Sequence, residues 1–430
     1  MKKILFAILD GAADIPCPEL GGRTPLEAAK TPNMDALAQS GVTGMMYPIA
    51  KGFAPESDSA AISLLGYDVL NSYTGRGPLE ALGAGLKIQE GDLAFRVNFA
   101  TINDNNVIVD RRVCRDLSNE EASQLADAIN TEITLTKYPS ELRLKNFRGF
   151  RGVLLIHRLD GGQFSGNISN VDPGYIKRGA FSIGNPKMDL HLKPCIPLDN
   201  TQEAAEAAEI TNEFIARSRD VLGEHPVNSA RIRRGQQKAN IILTRDAGDR
   251  LPKFQNINER YNARFGMFAE MPCEVGIGTL MGMKIIEHKS RSRSPKENYR
   301  RLAHLIAEEL RKLDIIYLHL KGPDNPGHDG DAEGKKESIE MIDCYFFGTL
   351  LPLLENTLLV VTSDHATPCH LRTHSSDPVP LLISGGEISG GEITRDKVVS
   401  FGERACRTGS LGLINGRKLM PISLHLAGQS

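Results

Sequence analysis

The sequence predicts an α/β protein built on a mostly parallel sheet sandwiched by helices, with a second, smaller α/β domain inserted into it. Three observations lead there. Short β-branched apolar runs stop abruptly at a carboxylate: Ile4 to Leu9 ends at Asp10-Gly11, and Leu358 to Thr362 leads directly to Asp364-His365. Runs that are apolar throughout suit central strands of a parallel sheet, and open α/β sheets put their sites where such strands end. Capped helical patterns alternate with these runs. Between residues 89 and 255 the texture changes to tight turns and arginine-rich strand ends, then reverts.

Taken in order, the first strand is followed by KTPNMDALAQSGV, where Thr31 predicts an N-cap, Pro32 the first helical turn and Gly41 the stop. Residues 48–66 put Ser57 in a polar turn ahead of a small-residue helical segment; a serine there is most often a cap. YTGRGPLEALGAGL, with glycines at 75, 77, 83 and 85, is a weak phosphate-loop signal without the Lys-Ser/Thr of a P-loop. LAFRVNFATI and NVIVDRR predict two strands about an Asp-Asn-Asn turn, and Ser118 with Glu121 a capping box. GVLLIHRL, an alanine-rich helix begun by Asn200, and NIILTRDAG complete the insert. Arg96, Arg111, Arg112, Arg158 and Arg245 fall at its strand ends, where guanidinium forks suit a phosphate or a carboxylate.

After residue 255 the apolar stripe Leu302, Leu305, Ile306 and Leu313 marks a helix leading into the strand Ile315 to Leu320. In KGPDNPGHDGD, Asp324 and His328 stand four apart, and Pro326 and Gly327 argue for a loop over a helix. A helix centred on residues 339–354 leads into the SDH strand, a loop containing Pro368 precedes His374, and PLLISGG is a further strand. The basic run HKSRSRSPK at 288–296 reads as a solvated loop.

The bulk properties exclude several classes. With 51 basic and 53 acidic residues the net charge is -2, against a chain that coats nucleic acid or an anionic membrane. Seven scattered cysteines with no CxxC spacing indicate neither a disulfide framework nor a zinc ribbon, and fit a reducing cytoplasm. MKKILFAILDG is a core strand rather than a signal peptide, and no apolar stretch approaches the ~18 residues that cross a bilayer.

The ends of four segments together supply Asp10, Ser57, Asp324, His328, Asp364, His365 and His374. That is roughly the ligand set two divalent cations about 4 Å apart require, and a serine among them gains a use as a nucleophile toward phosphorus. Ligands from both ends of the chain must meet, so the metal-binding domain is discontinuous: residues 1–88 and 256–430, with the insert at 89–255 acting as a cap that keeps water out.

LDGAAD, PESDSA, GRGPLEALGAG, FRVNFAT, VDRR, HPVNSARIRRG, DNPGHDGD, SDHATP and THSSDPVP, in this order, resemble the archaeal-type cofactor-independent phosphoglycerate mutases of the alkaline phosphatase superfamily. The resemblance implies one metal on Asp324, His328 and His374 and a second on Asp10, Ser57, Asp364 and His365, the ions being manganese, zinc, cobalt or magnesium. It implies that Ser57 takes the phosphoryl group of 3-phosphoglycerate and returns it to the 2-hydroxyl without bisphosphoglycerate. Lys321 and the arginines of the insert would grip the small-molecule substrate. The chain departs from the family pattern at Ala61, at Asp246 and in the basic run. The rival expectations are a metal-dependent phosphatase or phosphopentomutase of the same superfamily, and a non-catalytic phosphate-binding protein.

Overall fold

Parallel pairing puts Lys3–Leu9 between Ile315–Leu320 and Thr357–Ser363, with Leu9 level with Leu320 on one side and Ser363 on the other. In this computed structural model, which describes residues 2–428 except 186, 289–291, 293 and 386–394, those three strands are the middle of an eight-stranded sheet. Its order is Lys284–Ile286, Phe265–Phe268, Ile315–Leu320, Lys3–Leu9, Thr357–Ser363, Val379–Ser384, Val42–Tyr47, Gly412–Asn415. Val379–Ser384 runs antiparallel to both neighbours, and the other pairings are parallel. Leu5, Ala7, Leu9, Ile316, Leu318 and Val361 share one core with Leu302, Ile306 and Leu310 of the helix Pro295–Lys312, whose four-residue spacing makes one buried stripe.

The chain forms two compact units, one of residues 1–72, 254–270 and 278–430, the other of 73–253 and 271–277. Residues 73–88, assigned from the sequence to the metal-bearing domain, cluster with the insert. The reason is the helix Arg76–Gly83, which packs on Leu93–Ile102. Its glycines allow close approach: a Cβ at Gly83 would lie 1.7 Å from the Pro272 carbonyl oxygen, and one at Gly77 would lie 2.2 Å from that of Ala94. The glycine-rich stretch is therefore a packing surface rather than a phosphate loop.

In this second unit five strands form an antiparallel sheet around Leu93–Ile102, which pairs with Ile108–Asp110, Arg151–Arg158 and Ile241–Gly248, while Ser140–Arg148 joins Arg151–Arg158. Leu93, Phe95, Val97 and Phe99 point into a core shared with Leu125 and Ile129 of helix Asn119–Glu132 and with Ile210 and Phe214 of helix Gln202–Gly223. The alternate residue Ala94 packs instead with Ala81 of the glycine-bearing helix. Both faces are covered, which is why every residue of this strand is buried.

Several local expectations are corrected. Thr31 makes no side-chain cap bond; the helix Pro32–Ser40 is capped across the fold by Asp343, whose carboxylate accepts from Met34 N at 2.8 Å and Asn33 N at 3.2 Å. The single helix expected around 339–354 is Ala332–Met341, then a π-helical turn Ile342–Phe347 and two short turns ending at Leu353, where Pro352 removes an amide donor. Asp324–Asp329 is a short helix stopped by the left-handed Gly330, not a loop. The alanine-rich helix is capped by Thr201 rather than Asn200. Within the basic run, residues 289–291 and 293 lie outside the described residues, and Pro295 already opens a helix. Among the described residues no helix is long and apolar enough to cross a membrane.

Arg231 is the largest fully buried side chain of the described chain, and its guanidinium is bonded to Asp116, to Glu121 at 2.9 Å and to the Gln237 carbonyl at 2.8 Å. Removing it empties a fully buried site and takes a hydrogen bond from each of three acceptors, so Arg231→Ala is expected to destabilise the chain by about 3 kcal/mol in chemical denaturation.

Candidate metal centre

Because the three central strands end level, the residues that follow them emerge side by side: Asp10, then Lys321 on one neighbour and Asp364 on the other. The turn after Asp10 is built for closeness. Gly11 N donates to Asp364 Oδ1 at 3.0 Å, and Gly11 itself adopts φ +59, where a Cβ would sit 2.6 Å from Asp324 Oδ1 and 2.7 Å from Thr367 Oγ1. Only glycine fits that position.

Two groups of ligand atoms result, each with its atoms within 4.8 Å of one another: Asp324, His328 and His374, and Asp10, Asp364 and His365. Hydrogen bonds on the far side of each imidazole set what faces the carboxylates. His374 Nδ1 donates to the Pro55 carbonyl at 2.9 Å and His328 Nδ1 to that of Arg372 at 3.0 Å, which leaves both Nε2 lone pairs toward Asp324, at 3.6 and 3.4 Å. Thr367 Oγ1 donates to Asp324 Oδ1 at 2.8 Å and so must accept from His365 Nδ1 at 3.0 Å. The His365 Nε2 lone pair therefore faces Asp364 Oδ2 at 3.2 Å, Asp10 Oδ1 at 3.6 Å and Ser57 Oγ at 3.3 Å. Lone pairs aimed at carboxylate oxygens repel unless a cation lies between them, and outward Nδ1–H bonds are how ligating histidines are held. Asp10 Oδ1 is buried and accepts no hydrogen bond. The residues fit divalent metal.

Burial pushes the Asp10 carboxyl above its ordinary value against the pull of Lys321, with Asp324 and Asp364 adding to the rise. Burial acts on Asp324 and Asp364 in the same sense, but a protonated His374 beside the first and protonated His365 and His319 beside the second hold both well below the usual carboxylate range, so a proton or a metal cation on each ligand imidazole answers the same carboxylate charge. Burial, opposed by Asp324, keeps His328 below its ordinary value and hence neutral at pH 7, the form that ligates.

Ser57 opens the helix Ser57–Leu64 but does not cap it; Glu56 is the N-cap, and Ser59 Oγ bonds back to the Glu56 carbonyl at 2.9 Å. The Ser57 hydroxyl is thereby left for His365. Ala61 is buried inside the same helix. Lys321 Nζ lies 3.1 Å from Asp10 Oδ2 and 3.2 Å from His319 Nδ1. His319, not singled out from the sequence, is 1% exposed, with Nε2 3.1 Å from Asp364 Oδ2. Its signal was position alone: on a central strand, one residue before its last and two before Lys321, it faces the same way as Lys321.

In the second unit, Arg96, Arg111, Arg112 and Arg245 share one basic cluster with Arg76 and Arg151, which the sequence reading passed over. Arg96 and Arg76 meet Glu80, Arg111 Nε meets Asp172 at 2.5 Å, and Arg245 stacks 3.8 Å above the Tyr175 ring. Burial and then the neighbouring guanidiniums push Arg151 down to about 9. Asp246 takes the left-handed φ of +58 and is held below the usual carboxylate range, Arg245, the Ser182 hydroxyl, Arg76 and Arg96 outweighing burial. Arg158 is committed elsewhere, to Asp160 at 2.6 Å and to Glu206, over the Tyr138 and Phe164 rings.

Thr367 Oγ1 hydrogen-bonds to a residue of each ligand group, His365 and Asp324. Thr367→Val keeps the shape and loses both bonds, so metal affinity measured by chelator competition is expected to fall about 10-fold or more with the fold retained. An unchanged affinity would reduce Thr367 to a packing residue.

The model of the 2,3-bisphosphoglycerate-independent phosphoglycerate mutase family matches residues 38–228. The mutase of that name from Aeropyrum pernix is 43% identical over 435 residues, covering 99% of each chain. The one from Methanopyrus kandleri is 40% identical over 431 residues, covering 99% of this chain and 96% of its own. Among solved structures, the cofactor-independent phosphoglycerate mutase of Thermoplasma acidophilum superposes with a TM-score of 0.62 at 31% identity over the whole of both chains. A protein of Pyrococcus horikoshii superposes with a TM-score of 0.77 at the same identity, covering 100% of this chain and 98% of its own. The chain belongs to the 2,3-bisphosphoglycerate-independent phosphoglycerate mutases.

Proposed function

We propose that this chain interconverts 3-phosphoglycerate and 2-phosphoglycerate at two divalent cations, with Ser57 carrying the phosphoryl group between the two hydroxyls. The observation that carries the reading is the Ser57 hydroxyl, at the start of a helix and 3.3 Å from His365 Nε2, beside two separate ligand groups. Asp324, His328 and His374 would hold one ion, and Asp10, Ser57, Asp364 and His365 the other. Manganese, cobalt, zinc or magnesium, when bound, drains charge from the phosphoryl oxygens and acidifies the serine hydroxyl.

The chain's own residues set the rest. Ser57 Oγ attacks phosphorus as the bond to the glycerate 3-oxygen breaks. The glycerate is retained, turns, and its 2-hydroxyl attacks the phosphoserine, which frees Ser57. Two displacements at one phosphorus give retention of configuration and consume no bisphosphoglycerate. Lys321, held by Asp10 and His319, is placed in this scheme as a cation for the phosphoryl group. Arg96, Arg111, Arg112 and Arg245, with Arg76 and Arg151, supply cations for the substrate's carboxylate and phosphate.

Incubation with 3-phosphoglycerate and manganese, with 2-phosphoglycerate and free phosphate measured separately, is expected to give the first and little of the second; phosphate alone would make the chain a phosphatase. Exhaustive chelation is expected to abolish turnover and manganese, cobalt or zinc to restore it. Metal affinity is expected to fall as pH is lowered, because protons compete with the metal for the ligand side chains. Ser57→Ala is expected to stop turnover in a folded, metal-loaded protein. Were Ser57 only the first residue of its helix, the change would leave activity intact, and because Glu56 is the cap it would cost little stability. Arg112→Ala is expected to weaken substrate capture by about 2 to 5 kcal/mol in kcat/KM. Arg158→Ala, assayed alongside, separates that effect from loss of a structural ion pair.

A further inference from the structure

Behind the metal centre two thiols lie together. Cys17 and Cys369 are 5% and 4% exposed and pack in one small cluster with Leu20 and Ala332, and their Sγ atoms lie within 4.8 Å of each other and of an Asp14 carboxylate oxygen. The backbones that carry them are already fastened. Ala12 and Ala13 bridge to Ala366, Thr367 N donates to the Ala13 carbonyl at 3.1 Å, and Cys369 N donates to Asp14 at 3.2 Å. Lys335, fully buried, closes the knot, with Nζ donating to Asp14 Oδ2 at 2.8 Å and to the Ala13 and Thr367 carbonyls at 2.9 Å each.

Two chemistries suit two thiols and a carboxylate: a soft metal ion, or a sulfur–sulfur bond. Asp14 decides between them. Its Oδ1 accepts from Ile15 N at 2.8 Å and its Oδ2 from the Lys335 ammonium, so its charge is already neutralised by a buried cation that a metal ion would have to lie against. We propose that Cys17 and Cys369 are a disulfide-forming pair that, when oxidised, staples the turn after the first strand to the loop bearing His374. From Sγ atoms within 4.8 Å of each other, the bond to be reached is ~2.05 Å long.

A small oxidant such as a peroxide meets the burial. One thiolate attacks a peroxide oxygen, the O–O bond breaks, and a sulfenic acid and hydroxide form. The second thiol then attacks the sulfenyl sulfur, forms the S–S bond and expels the oxygen as water. Two thiols are oxidised by two electrons, and one hydrogen peroxide is reduced to two waters. Burial first, then Asp14, pushes both thiols up to about 12, so the step is slow, and the closed bond, equally buried, is slow to be reduced.

The test uses the full chain treated with hydrogen peroxide, alkylated under denaturing conditions and digested without reductant. A linked peptide containing Cys17 and Cys369 is expected, with thermal unfolding several degrees higher and both effects reversed by dithiothreitol. Cys17→Ser and, independently, Cys369→Ala are expected to lose the linked peptide and the shift. Both cysteines recovered alkylated or separately over-oxidised after exhaustive treatment would overturn the proposal. So would stoichiometric zinc in the untreated protein that either variant releases, since the pair would then be a metal site. The exposed Cys114 and Cys344 are told apart by peptide mass.

Discussion

Three strands ending at one level is the constraint from which the metal centre follows. Once Leu9 is in register with both Leu320 and Ser363, Asp10 and Asp364 have no separate environments to occupy, and Asp324 arrives one turn later on a helix too short to carry it away. Three carboxylates in a largely buried place are costly by themselves, because Coulomb repulsion is weakly screened there. The surrounding chain answers with cations and N–H groups: Lys321 and His319 from the same strand end, and the Gly11 amide from the turn. That response is incomplete. Asp10 Oδ1 still accepts no hydrogen bond, and the imidazoles of His328, His365 and His374, tied down through Nδ1, present Nε2 to the carboxylates, an arrangement that fits divalent cations.

The same crowding explains the layer behind. Thr367 ties His365 to Asp324, and its own backbone is held by Ala13 and by Lys335. Asp14, which neutralises Lys335, receives a hydrogen bond from Cys369 N and donates its own amide to Glu403 at 3.0 Å. Glu403 is pushed up to about 7 by burial, against the Thr24 hydroxyl it accepts from. A carboxyl raised in the folded state stabilises it fully below the unfolded value and loses that contribution as pH rises through about 7. The contribution of Glu403 to the scaffold behind Thr367 is therefore lost between about pH 4.5 and 7.

Much of this was legible in the sequence because chemistry and fold coincide there. Apolar runs that stop at Asp10 and at Asp364-His365 announce buried strands and their ends together. What stayed hidden depends on contacts distant in sequence. Asp324–Asp329 is helical just past the end of a central strand and is stopped by Gly330, against the local signal of Pro326 and Gly327. The cap of Pro32–Ser40 comes from Asp343, some three hundred positions away, which no local rule nominates. Val42–Tyr47, with glycine and two methionines, is a weak strand by propensity and exists because partners pair on both of its sides. His319 looked like one more buried strand residue until Asp364 stood opposite it.

The arginines of the insert show the limit of reading charge from position. Five were conspicuous at strand ends, yet ends of strands do not share an environment merely by being ends. Arg158 lies where Asp160 and Glu206 already match its charge. Arg76, unremarkable on a glycine-rich helix, and Arg151, at a strand start, join Arg96, Arg111, Arg112 and Arg245. Against those six guanidiniums stand Glu80, Asp172 and Asp246. Arg96, Arg112 and Arg151 are consequently held below the ordinary value, by burial and by one another. Cations kept together at that cost are stabilised by an anion carrying more than one charge, and phosphoglycerate bears both a phosphate and a carboxylate. Asp246, held below the usual carboxylate range against burial by Arg245, Arg76 and Arg96, lowers the mutual repulsion of the cluster.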